Sequence, residues 1–176
     1  NNGDVFPSLS KIKDTITLSY KEGLALINGT QFSTALGVIA LKKIQNLIKI
    51  ADIAGAMAIE GLNGTDEAFR GDVHLVKAHH GQLLVAENLR ILLKNSEIHD
   101  AHQECDRVQD MYSLRCIPYI HGAGRDTIKY TSAVIEEESN SVSDNPIVLP
   151  ETGDIISSGH FHAESVAQAL DCVAIA

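Results

Sequence analysis

Gln109, Tyr112 and Arg115 recur at every third position of the run R-V-Q-D-M-Y-S-L-R-C, residues 107–116. On an α-helix, steps of three stay within about a third of the circumference, and in a 3₁₀ turn they eclipse. The spacing therefore predicts one surface carrying an amide, a phenol and a guanidinium. An arginine fork holds a carboxylate in two parallel hydrogen bonds, and an amide supplies both donors and acceptors. A phenol moves a proton once its pKa falls from about 10. Together these groups suit a small carboxylic acid such as an amino acid. A polar stripe on a helix is also an ordinary solvated face, so the spacing by itself leaves both readings open.

Other chemistry-bearing residues are more ambiguous. His99, His102 and Cys105 lie three apart and His160 is two from His162, and zinc accepts such N and S ligands. The spacing lacks a second ligand pair of the finger type, and H-D-A-H-Q-E-C suits a polar helix or loop equally. No metal is expected, although a non-catalytic helical module with metal at these residues, or with a protein partner, is the competing class. Asn28 stands beside Gly29 in L-I-N-G-T-Q, residues 26–31. Gly29 lets the backbone turn or approach a ligand closely, and Asn28 then points into a cavity at a helix entrance. An ordinary loop fits these letters as well. N-S-V-S-D-N-P, residues 140–146, reads as a turn in which Asp144 and Asn145 bond their own backbone and Pro146 fixes φ.

The elements that must position these residues are mainly helical. Residues 1–20 have little periodicity, and Pro7, Ser8 and Ser10 suggest an extended or loop entry. From Thr34 to Leu62, Leu36, Ile39, Ile44, Leu47, Ile50, Ile53 and Ala54 fall largely at helical spacing, with apolar residues on other faces too. This predicts a long, mostly buried helix, stopped by Asn63-Gly64, with Thr65 or Asp66 capping the next element. A second helix is expected over 82–94, ended by Asn95-Ser96, and a third from Ile117 into E-E-E-S-N with Pro118 in its first turn. Residues 147–156 read as a small β-hairpin, and a last helix is expected to begin near Phe161. The class is all-α, and residues 1–176 are expected to form part of one domain of a longer polypeptide.

The chain has 176 residues, 44% hydrophobic and 21% charged, an ordinary globular mix. Its net charge of −9 and lack of a basic run speak against nucleic acid as a partner. No apolar stretch approaches the roughly 18 residues of a membrane span. A soluble cytoplasmic protein is expected. The three cysteines, Cys105, Cys116 and Cys172, fit buried thiols in a reducing compartment.

Five segments occur in order: K-E-G-L-A-L-I-N-G-T-Q (21–31), S-E-I (96–98), R-V-Q-D-M-Y-S-L-R-C (107–116), N-S-V-S-D-N-P (140–146) and G-H-F-H-A-E (159–164). Together they closely resemble the aromatic amino-acid ammonia-lyases, the histidine-specific branch in particular, from about Lys21 to Ala176. The resemblance implies a helix-bundle fold and non-oxidative elimination of ammonia from an amino acid, histidine giving urocanate. Tyrosine or phenylalanine lyases and aminomutases share these motifs. It implies a methylideneimidazolone prosthetic group formed from an Ala-Ser-Gly that this sequence does not contain. By the same resemblance Asn28 and Tyr112 are catalytic and, with Phe161, lie at the prosthetic group. Arg115 clamps the substrate carboxylate, and Gln109 and Phe161 line the substrate pocket. Family members are homotetramers whose sites combine residues of three chains. Ser158 and His160 replace the family's usual Gly and Asn beside Phe161, and Ile117 and Tyr119 sit where the histidine enzymes often have Gln.

Overall fold

The structure, a computed structural model, describes residues 16–102 and 106–176. The Pro7, Ser8 and Ser10 entry and Cys105 lie outside the described residues. Helices α1 (Glu22–Ile27), α2 (Gln31–Gly61), α3 (Gly71–Leu75), α4 (His80–Leu92), α5 (Glu97–Ala101), α6 (Tyr112–Arg115), α7 (Ile117–Ser139) and α8 (Glu164–Ile175) dominate, with a 3₁₀ turn at Glu67–Phe69. Strands β1 (Ile147–Leu149) and β2 (Asp154–Ile156) form the expected hairpin, with Ile147 opposite Ile156.

The axis of the molecule is α2, whose 31 residues extend about 46 Å at 1.5 Å per residue. It begins three residues before the expected Thr34, because the Thr34 N–H already reaches the Thr30 carbonyl at 2.9 Å. At its other end Asn63 takes the left-handed conformation at φ 50°. The Gly64 N–H then closes onto the Ile59 carbonyl at 2.8 Å and the Asn63 N–H onto Glu60 at 3.1 Å, the Schellman pattern. The left-handed position therefore falls on Asn63, and Gly64 supplies the second donor.

Helix α7 runs antiparallel to α2: Ile117 sits at Gly55 and Ile135 at Gly37. Helix α4 crosses α7 at Gly81 and Gly122, where a Cβ on Gly122 would overlap the backbone of Gln82. Only two glycines allow this backbone-on-backbone approach. The crossing builds one core from Ala56, Ile59, Val85, Leu89, Leu114 and Ile117, and α8 closes a second around Leu41, Ile128, Ile135 and Val166.

The expectation that α2 is mostly buried is not met within this chain. Phe32, Leu36, Ile39, Leu47, Ile50 and Met57 are each more than half exposed. The reason is geometric: α4, α7 and α8 flank α2 on one side, and a helix apolar on several faces needs neighbours on several sides. Helix α8 begins at Glu164, three residues after Phe161, which lies in the preceding turn, and the Glu164 N–H meets His162 Nδ1 at 3.3 Å. Nor are the described thiols buried: Cys116 is half-buried at the α6–α7 junction and Cys172 is exposed on α8.

One polar cluster sits inside this apolar frame. Asp52, 2% exposed in the middle of α2, accepts hydrogen bonds from Asn88 Nδ2 at 2.8 Å, His121 Nδ1 at 3.0 Å and Arg125 Nη2. Burial pushes its carboxyl up, but the bonds from His121 and Asn88 and the charge of Arg125 outweigh burial and hold it below the ordinary value. A single carboxylate thus joins α2, α4 and α7.

Candidate active site at the two ends of helix α2

At the carboxyl end of α2, the N–H of Thr65 donates to Asp110 Oδ2 at 2.7 Å. That bond anchors the chain just before α6. Met111 is extended (φ −55°, ψ 145°), so the helical turn cannot start before Tyr112. The expected single helical surface is therefore corrected: Tyr112 and Arg115 share α6, whereas Gln109 occupies an exposed bend ahead of it. Three-residue spacing reports a shared face only while the helix is continuous.

Tyr112 is 72% exposed, and the Arg115 guanidinium carbon lies 5.6 Å from its ring centroid. Arg115 Nε is buried without a hydrogen-bond partner, and Arg115 forms no ion pair among the described residues. Both side chains line an open depression of about 460 Å³ that also includes Lys77, Cys116 and Tyr119. Its floor is held from behind by His74, a fully buried residue that no spacing rule singled out. A carbonyl only accepts, so His74 Nε2 carries the hydrogen toward Ala68 O at 2.9 Å, and Nδ1 accepts from Gln82 Nε2 at 2.8 Å. The His74 ring meets Tyr119 at 5.4 Å between centroids. With both ring nitrogens hydrogen-bonded, His74 braces the wall of the depression.

The amino end of α2 is built differently. Gly29 pairs by backbone with Asp144, and the Asp144 carboxylate is bound by Lys21 Nζ. Thr30 Oγ1 donates to Glu138 at 2.5 Å. Asn145 Oδ1 accepts the Ser158 N–H at 2.6 Å. Asp144 and Asn145 therefore do not close on their own backbone as expected; they tie the 140–146 loop to two other segments, because those partners lie within reach only in the folded chain. The Asn145–Ser158 bond ties the segment that leads to Phe161, 40% exposed, to the loop whose Asp144 pairs with Gly29, next to Asn28. Asn28 is half-buried and its side-chain amide has no partner among the described residues. Ser158 Oγ and His160 Nδ1 lie 2.6 Å apart.

The length of α2 thus separates the motif residues into two groups, Asn28 with Phe161 and Tyr112 with Arg115. His99, considered above as a ligand, has its Nε2 3.3 Å from Asp66 Oδ1.

The sequence profile described as Aromatic amino acid lyase matches residues 9–176. The chain belongs to this family. It is 51% identical over 173 residues to a histidine ammonia-lyase of Koribacter versatilis, covering 92% of this chain and 34% of that protein. It is 49% identical to the histidine ammonia-lyase of Mus musculus, covering 91% and 25%. Among solved structures, it resembles histidine ammonia-lyase from Trypanosoma cruzi (TM-score 0.80, 41% identity, 92% of this chain and 29% of that one). It also resembles Pantoea agglomerans phenylalanine aminomutase (TM-score 0.84, 35% identity, 92% and 35%). The chain spans about a third of the length of the curated bacterial relatives it matches. As a member of the aromatic amino acid lyases it has their all-α fold with one small hairpin. Among its described residues, no helix is long and apolar enough to cross a membrane.

Proposed function

We propose that this chain is the central portion of a cytoplasmic, homotetrameric histidine ammonia-lyase, which eliminates ammonia from L-histidine to give urocanate. The observation that carries the reading is Arg115, a half-buried guanidinium propped on a phenol ring, with its Nε unpartnered and no carboxylate upon it among the described residues. Such a group is ready to receive the substrate carboxylate in a bidentate pair. The histidine lyases at 46–51% identity support the choice of substrate.

Elimination is physically difficult because the amine leaves poorly and the β-proton is weakly acidic. The family's methylideneimidazolone, formed from an Ala-Ser-Gly absent from this sequence, supplies the electrophile when bound. The residues present fit it: Asn28 offers a free amide, Tyr112 an exposed phenol and Phe161 a ring, and these three would hold it. Arg115 fixes the substrate by its carboxylate and Gln109 lines the entry. Tyr112 then moves a proton at its phenol oxygen, for which geometry must come first and pKa second. Since α2 keeps Asn28 from Tyr112, a complete site needs the carboxyl end of one copy beside the amino end of another. The exposed apolar face of α2 is the surface on which copies would pack.

The test is a urocanate absorbance assay on the full-length, assembled protein with L-histidine, L-phenylalanine and L-tyrosine. Urocanate from histidine alone is expected. Cinnamate, coumarate or a β-amino acid instead would overturn the substrate assignment. The 176-residue chain alone is expected to be inactive because it contains no Ala-Ser-Gly, and a rise in urocanate with it would overturn the prosthetic-group reading.

A further inference from the structure

Lys77 lies between α3 and α4 and belongs to none of the motifs quoted from the sequence. Its ammonium stands 5.1 Å from the centroid of Tyr119, while Arg115 stands 5.6 Å from that of Tyr112. Both are within the ~6 Å over which a ring face attracts a cation. The two pairs line the same depression. Lys77, like Arg115, forms no ion pair among the described residues. Two cations facing one open depression repel each other unless an anion enters. The backbone here is also committed. Ala78, at φ 48°, holds a left-handed conformation that a residue with a Cβ adopts at a cost, and its N–H closes on the His74 carbonyl at 2.9 Å. That turn comes directly after Lys77, and His74 in turn braces Tyr119, the ring under the ammonium.

We propose that Lys77 is a second cation for the substrate carboxylate, completing with Arg115 a two-point anion site in the Tyr112 and Tyr119 depression; this rests on the amino-acid elimination proposed above. A carboxylate has two oxygens and about four lone-pair directions, enough to accept an arginine fork and an ammonium together. The fork sets orientation, and the ammonium, a compact point charge on a flexible stem, adds attraction without geometric demand.

The test uses the assembled full-length enzyme, Lys77→Met and Lys77→Arg, and calorimetric binding of two probes. 3-(Imidazol-4-yl)propionate keeps the ring and carboxylate but has no amine, and histamine keeps the ring and amine but has no carboxylate. Lys77→Met is expected to weaken the propionate about tenfold, while histamine binding stays within about twofold and Lys77→Arg restores most of the loss. Equal weakening of both probes would show a merely structural role, and an unchanged propionate affinity would show no role at all; either overturns the proposal. Failure of the histidine reading shows separately, as lack of urocanate from the unsubstituted enzyme. Lys77 is then judged by the same criterion with 3-phenylpropionate and phenethylamine.

Discussion

The two ends of α2 use charge in opposite ways. At the amino end charged groups are consumed by the fold: Lys21 binds Asp144 and Glu138 accepts from Thr30. The motif groups left over are neutral, the Asn28 amide and the Phe161 ring. At the carboxyl end Arg115 and Lys77 lie over phenol rings with no carboxylate partner among the described residues. The first end is organised to fix backbone around an amide, and the second to leave positive charge open to an anion. A pocket assembled from one end of each kind would bind an amino acid's carboxylate on one side and present an amide to the reacting centre on the other.

Several changes would break or sharpen that contrast. The largest effect is expected midway between the ends. Asp52→Ala leaves Arg125 half-buried without its carboxylate, and should cost about 3–5 kcal/mol, read by chemical denaturation. Both ends should lose order together, because one carboxylate joins the three helices that hold them. Its pH dependence has a definite sign. The folded carboxyl is held below the ordinary 3.8, so its contribution is complete above that value and fades as the pH falls through the lower folded one. The unsubstituted protein should therefore lose more stability than Asp52→Asn as the pH falls from about 5 to about 2. Parallel losses in the two proteins would deny the cluster this role.

Arg115→Met should come next, with a loss of about 2–3 kcal/mol in substrate binding, seen as a KM raised roughly 30- to 150-fold in the assembled enzyme. Asn28→Ala, at the other end, should instead lower kcat with KM little changed. If both variants moved the same kinetic parameter, the division of labour between the ends would fail. Asp110→Ala removes the acceptor of the Thr65 N–H and should cost about 1–2 kcal/mol by thermal unfolding, loosening the approach to α6. The smallest effect belongs to Lys21→Met. Its partner Asp144 is nearly buried but Lys21 is partly exposed, so at most about 1 kcal/mol is expected from the same measurement.

Much of the fold was legible in the sequence because its signals are local. Apolar residues at helical spacing marked α2, α4 and α7, and Asn63-Gly64, Asn95-Ser96 and Pro118 marked their ends. Two short apolar runs around a Pro/Gly turn marked the hairpin. Each depends on backbone geometry within a few residues. Errors occurred where distant contacts took over. Gln109 left the helix because Asp110 is anchored to Thr65, 45 residues earlier. Asp144 and Asn145 gave up a local turn for Lys21 and Ser158. Helix α2 proved exposed because apolar composition states how many faces seek partners, not which partners one chain supplies.

By itself, then, the sequence determined the helical class, the element boundaries to within a few residues, and the motif residues that identify the lyase family. Only the tertiary structure decided that Asn28 and Tyr112 belong to opposite ends of a 31-residue helix, and that Lys77 joins Arg115 over one depression. The physical reason is that periodicity and capping are set by neighbours along the chain, whereas separation and charge pairing are set by which rigid helices pack together.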